Sequence, residues 1–159
     1  MIRINDDLLN ELSAKARSSP RLRMNHNFHK GPKDRLQRML NAMEPGTYIR
    51  PHKHENPDKR EAFLALRGTL CVIEFNDLGE ITDHTILSAN RRNYGAEIAE
   101  RSWHSVISLE SGSVAYEVKD GPYNPLDDKD FAPWSPVEGS EGAESYLQQL
   151  IKQLGLSVS

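Results

Sequence analysis

What most constrains this chain is a rhythm of short apolar-rich segments between residues 36 and 118, each closed by a turn signal. Pro45-Gly46, Arg67-Gly68, Asn76-Asp77-Leu78-Gly79, Asn93-Tyr94-Gly95 and Ser111-Gly112 punctuate the run. Segments this short, broken this often, form antiparallel β-structure rather than helices. The spacing predicts strands over 36–43, 47–52, 61–67, 70–76, 81–87, 96–99, 103–109 and 113–118. Many short strands in series close into a barrel or a sandwich.

The flanks read differently. Leu8, Leu9, Leu12 and Ala16 recur at helical spacing, so residues 6–18 are expected to form an amphipathic helix. Asn5 is its N-cap, Ile4 can staple against Leu9, and Ser18-Ser19-Pro20 ends it. Residues 21–35 are polar, with a turn at Gly31-Pro32. Residues 119–139 hold four of the nine prolines together with Phe131 and Trp134. They are expected to form an ordered strap whose aromatics pack on the barrel. Leu147, Leu150, Ile151 and Leu154 form one stripe of a closing helix over 141–154, with Ser140 as N-cap and Gly155 as the stop. A chain of 159 residues suits one domain with a sizeable core. The expected domain covers 1–159, with the barrel at 36–118 between an N-terminal part (1–35) and a C-terminal part (119–159).

Charge and cysteine content narrow the function classes. A net charge of −3 argues against a nucleic-acid binder. No apolar run approaches the ~20 residues of a membrane span, and the first residues do not form a leader. Cys71 is the single cysteine, which excludes an intramolecular disulfide and suggests a reducing, cytoplasmic setting. Residues 21–38 carry a local balance of +5 and residues 120–144 one of −6. The two segments can attract each other, or some arginines can line a site for an anionic ligand.

The chemistry concentrates in Gly46-Thr47-Tyr48-Ile49-Arg50-Pro51-His52-Lys53-His54. His52 and His54, two apart on a predicted strand, point to one face and can share a metal ion. A hairpin brings Glu61 back beside them as a carboxylate ligand, and a return strand carrying Ser102-Trp103-His104-Ser105 can supply a third imidazole from His104. Three imidazoles and a carboxylate suit a borderline divalent ion: iron, manganese, nickel, zinc or cobalt. Four protein ligands leave positions open on an octahedral ion. Around this set, Asn27 and His29 can reach the barrel mouth. Arg38 faces the interior if Leu36, Arg38 and Leu40 point inward, and faces outward if Gln37, Met39 and Asn41 do. Tyr48, in register with His52 and His54, is expected to line the same face, and Tyr116 can line the cavity too. Trp103 and Cys71 read as core, and Asp127-Asp128-Lys129-Asp130 as a solvated run. No residue stands out as a catalytic base.

Gly46, His52-x-His54, Glu61, Gly68, Gly95 and the distant His104 resemble the two-motif signature of the cupin superfamily. Six residues separate His54 from Glu61 where three or four are usual, and Ala99 and Arg101 stand where the second motif usually has Pro and Gly. Arg21 to His29, Gln37 to Ala42 and Asp128 to Trp134 further resemble the WbuC-type cupin-fold metalloproteins, often found among bacterial surface-polysaccharide (O-antigen, lipopolysaccharide) biosynthesis functions. The resemblance implies a mostly-β, double-stranded β-helix (cupin) barrel with flanking N- and C-terminal helices, a bound divalent metal, and a link to sugar metabolism. Three functions follow as expectations. One is a metal-dependent isomerase or epimerase of a sugar or sugar-nucleotide intermediate. The second is an iron-dependent oxygenase, and the third is a non-catalytic carbohydrate-binding or regulatory module. The expected partners are a small anionic or sugar-like ligand and a second copy of the chain, with neither nucleic acid nor membrane.

Overall fold

A computed structural model describes residues 1–124 and 128–159. Helix α1 (Asp6–Ser18) starts where Asn5 accepts a hydrogen bond from the Leu8 backbone N–H at 3.3 Å. The strands follow: β1 (Arg23–Asn27), β2 (Leu36–Met43), β3 (His52–Lys53), β4 (Glu61–Arg67), β5 (Leu70–Phe75), β6 (Ile81–Leu87), β7 (Gly95–Ile98), β8 (Trp103–Ser108), β9 (Ser113–Asp120) and β10 (Asp130–Phe131). Helix α2 (Glu141–Gln153) closes the chain. Two five-stranded antiparallel sheets result, in the orders β1–β2–β9–β4–β7 and β10–β3–β8–β5–β6.

A helix covers part of the outward face of each sheet. Leu9, Leu12 and Ala16 of α1 pack on Leu40, Ala42 and Val114, the outward side chains of the first sheet. Leu147 and Leu150 of α2 pack on the outward side of the second sheet, against a cluster holding Cys71, Ile73, Phe75, Trp103 and Ile107. Between the sheets, Met43, Phe63, Leu70, Val72, Val106 and Ala115 fill one end with an apolar core. The other end is polar and hollow. Alternation along each strand dictates this: residues two apart share a face, so an inward row runs from apolar to charged within one strand.

Three expectations about elements change. Residues 21–35 were read as strandless, yet Arg23–Asn27 form an edge strand against Met39–Met43. Strand 47–52 shrinks to His52–Lys53. Phe131 pairs with His52, adding a two-residue strand from the strap. In the strap, Trp134 packs on Phe75 and Trp103, with ring centroids 5.2 and 6.1 Å away. Of the run expected to be solvated, Asp127 lies outside the described residues, and Asp128 is buried.

Gly68 makes the hairpin turn between β4 and β5 with φ +72°, and a Cβ there would meet the Ser113 backbone at 2.8 Å. Both the left-handed backbone and the close approach demand glycine. Gly68→Ala should therefore lower unfolding free energy by about 2 kcal/mol, read as a reduced urea midpoint in equilibrium denaturation.

A buried three-histidine, one-glutamate cluster

The four residues singled out by spacing meet at the hollow end of the sandwich. His52 sits on β3 opposite His104 of β8. His54 follows β3, and Glu61 opens β4 in the facing sheet. One nitrogen from each imidazole and one Glu61 oxygen all lie within 4.8 Å of one another, and all four residues are buried.

The backbone decides what these imidazoles can do. Nδ1 of His52 lies 2.9 Å from the Arg50 carbonyl, and Nδ1 of His104 lies 2.9 Å from the Ser102 carbonyl. Nδ1 of His54 contacts the Asp128 carbonyl. A carbonyl can only accept, so each Nδ1 carries the proton and each Nε2 presents a lone pair to the centre. Nε2 of His54, Nε2 of His104 and Oε1 of Glu61 are buried without a hydrogen-bond partner. Oε1 nevertheless lies 3.4 Å from His54 Nε2 and against His104 Nε2. Bare acceptors forced this close in a dry interior repel unless a cation sits among them. The donor set thus fits a divalent ion, with the second-row carbonyls that orient metal-binding histidines. Burial, then the charge of Lys129, holds the His52 pKa well below its ordinary value, which keeps that ring neutral. Burial by itself raises the Glu61 carboxyl. The imidazoles of His104 and His54 outweigh it and hold the group well below the carboxylate range.

Arg101, where the usual motif has glycine, keeps the backbone a glycine would take, with φ 63°. Its N–H donates to the His54 carbonyl at 3.3 Å, and its Nε donates to Asp58 at 2.8 Å. The turn before His104 is thereby retained.

A cavity of about 690 Å³ opens above the cluster. Asn27 and His29 lie on its wall. Three other expectations are corrected. Arg38 faces away from the cavity, near Asp34 at 3.9 Å and the Phe28 carbonyl at 3.4 Å. Gln37, Met39 and Asn41 take the inward row instead. Both faces of β2 are covered, so apolar Leu40 marked the helix-covered side rather than the interior. Tyr116 is likewise outward, packed beside Phe28 in the α1 cluster. Tyr48 precedes the short β3, where strand alternation no longer holds. Its hydroxyl donates to the Pro136 carbonyl at 3.0 Å, and its ring packs on Tyr146. Burial pushes its phenol up to about 12.

Sequence reasoning missed Glu117. It lies on the inward row of β9 beside Lys119, which pairs directly with Glu61. Asn41 donates to one of its oxygens. Burial, then the neighbouring Glu61 charge, raises its carboxyl to about 7. The available signal was two charged residues, Glu117 and Lys119, sharing one face of a strand whose other face is Tyr116 and Val118. Asp128 was missed as well. Lys59 and Lys119 each donate to its carboxylate at 2.6 Å, and all three residues are buried. Through its carbonyl on His54, this pair of lysines holds the strap against the cluster. Asp128→Asn should cost about 3 kcal/mol, because it leaves two buried ammonium groups short of a counter-charge. Thermal denaturation should show the loss.

A family model described as Domain of unknown function (DUF6016) matches residues 4–87. Among curated proteins, nothing matches this sequence. Among solved structures, the capsular polysaccharide assembling protein CapF of Staphylococcus aureus aligns at 22% identity with a TM-score of 0.55, covering 67% of this chain and 28% of that one. The chain thus spans little more than a quarter of that protein. L-ribose isomerase of Cellulomonas parahominis aligns at 15% identity with a TM-score of 0.56, covering 77% and 71%. KdgF from Halomonas sp. aligns at 16% identity with a TM-score of 0.51, covering 67% and 84%. At these identities the likeness is one of fold, and the fold is that of the cupins. Among the described residues no helix is long and apolar enough to cross a membrane.

Proposed function

The chain belongs to the family described as Domain of unknown function (DUF6016), and from that premise we propose that it is a metal-dependent cupin that moves a proton on a sugar or sugar-nucleotide intermediate, as an isomerase or epimerase does. One observation carries the reading. Partnerless buried acceptors from His54, Glu61 and His104 converge with His52, and His52, Glu61 and His104 line a cavity that also holds an independent carboxyl, Glu117. A divalent ion held by His52, His54, Glu61 and His104 would supply Lewis acidity towards neighbouring sugar oxygens.

The chain's own groups do the rest. Glu117, raised to about 7, populates both protonation states near neutrality, as a group that takes and returns a proton must. Asn41 fixes one of its oxygens, leaving the carboxyl aimed from β9. The amides of Asn25, Asn27 and Gln37 line the same wall and suit hydroxyl groups, while Phe131 and Tyr123 offer ring faces to the apolar side of a sugar.

The names of two fold relatives, a capsular polysaccharide assembling protein and a sugar isomerase, support a role in surface-polysaccharide (O-antigen) metabolism of the WbuC type. The lone buried Cys71 supports a cytoplasmic setting, and the end strands of the two sheets, where no further strand pairs among the described residues, support a homodimer.

Metal analysis tests the centre. Wild-type protein should retain one divalent ion per chain, and His104→Ala should lose about nine-tenths of it while keeping its far-ultraviolet dichroism. Unchanged metal content would end the reading. Glu117→Gln should keep the metal and lose turnover on a panel of sugars and sugar phosphates by about a hundredfold or more.

A further inference from the structure

Resting on that reading and narrowing its substrate class, we propose that the cavity takes a polyol bearing an oxyanion group, carboxylate or phosphate, which Lys129 and Arg50 anchor while its hydroxyls reach the histidine–glutamate cluster. Five cationic side chains line the cavity (Arg21, Arg23, Arg50, Lys119, Lys129) against four carboxyls (Glu61, Glu117, Asp128, Glu138). Arg21 and Arg23 share Glu138, at 2.8 and 2.7 Å, and Lys119 shares Asp128 with Lys59. Among the described residues, Arg50 and Lys129 have no ion pair.

Arg50 is held all the same. Its Nε donates to Ser135 Oγ at 3.1 Å and its Nη2 donates to the Ala132 carbonyl at 2.9 Å. Its guanidinium carbon stands 5.2 Å from the Phe131 ring centre. All three contacts are neutral, so the guanidinium is positioned but its charge is left uncompensated. Phe131 in turn pairs with His52, with ring centres 6.2 Å apart. Arg50, Phe131 and His52 therefore step inward from the strap to the cluster.

Lys129 lies two residues before Phe131. It is exposed and lines the same cavity as His52, Glu61 and His104. Its ammonium has no fixed carboxylate among the described residues, and its charge is felt at His52. An ion at the cluster would add further positive charge to the same cavity. A neutral sugar leaves that charge unanswered, whereas an oxyanion seated between Lys129 and Arg50 balances it.

Calorimetric titration of the full chain, metal-replete and in low salt, tests the assignment with gluconate, glucose 6-phosphate and sorbitol as probes. The expected result is that at least one oxyanion probe binds about tenfold or more tightly than sorbitol. Lys129→Met should remove that preference while leaving sorbitol unchanged, and Lys129→Arg should restore most of it. Carboxylate or phosphate is identified by which probe responds. Sorbitol binding as tightly as both anions, neither anion binding, or a preference that survives in Lys129→Met would overturn the proposal. The same titrations on metal-free protein separate it from the reading above. A chain that binds no metal yet keeps a Lys129-dependent preference for the anion loses the metal chemistry and retains the subsite.

Discussion

Three hydrogen bonds from imidazole Nδ1 atoms to backbone carbonyls set the character of this molecule. By claiming the Nδ1 protons of His52, His54 and His104, the carbonyls of Arg50, Asp128 and Ser102 leave three lone pairs converging beside the Glu61 carboxylate. A convergence of acceptors in a dry interior is unfavourable on its own. It persists because each carbonyl belongs to backbone already held by strands, by the turn at Arg101, or by the strap. The tautomer at the centre is therefore a consequence of main-chain geometry around it.

The strap is what completes the centre. It supplies the Asp128 carbonyl to His54, the Phe131 strand to His52, and Glu138 to Arg21 and Arg23. Its attachment runs through a buried Lys59–Asp128–Lys119 cluster, an arrangement expensive to desolvate unless every charge is hydrogen-bonded. Here Asp128 uses both oxygens, and Lys59 also donates to the Pro122 carbonyl at 2.5 Å. A strap bound by charge on this side, and by Trp134 on the outer side of the second sheet, adds polar groups to the cavity wall while closing one side of it. The opposite end of the sandwich, filled by Phe63, Leu70, Val72 and Val106, carries the apolar burial that anchors both sheets.

The separation of apolar and polar ends explains which parts of the site were legible. His52 and His54 converge although His54 lies just past β3, and Glu61 and His104 fall at inward positions of strands whose limits the turn residues mark well. Tyr116 was misplaced and the facing of Arg38 left open because hydrophobicity marks a buried face without saying what buries it, whereas Tyr48 lies before β3, outside the strand whose alternation was applied to it. In β2 and β9 the helix-covered outside is the more apolar face, with Leu40, Ala42 and Val114, and the interior row is the polar one, with Gln37, Asn41, Glu117 and Lys119. The edge strand Arg23–Asn27 was hidden by its polar composition, since its partner β2 supplies the pairing and its own side chains face the cavity or solvent.

From residue order alone came the turn-punctuated strands, the two helices and the four residues that meet at the centre, because turn chemistry, side-chain periodicity and donor type are local properties. Tertiary structure alone decided which face of each strand looks inward, that Glu117 stands by the cluster with a carboxyl raised to about 7, and that Asp128 is buried between two lysines. Those outcomes depend on burial and on charges brought together from distant parts of the chain, and neither desolvation nor Coulomb interaction between remote residues is encoded in any single stretch of sequence.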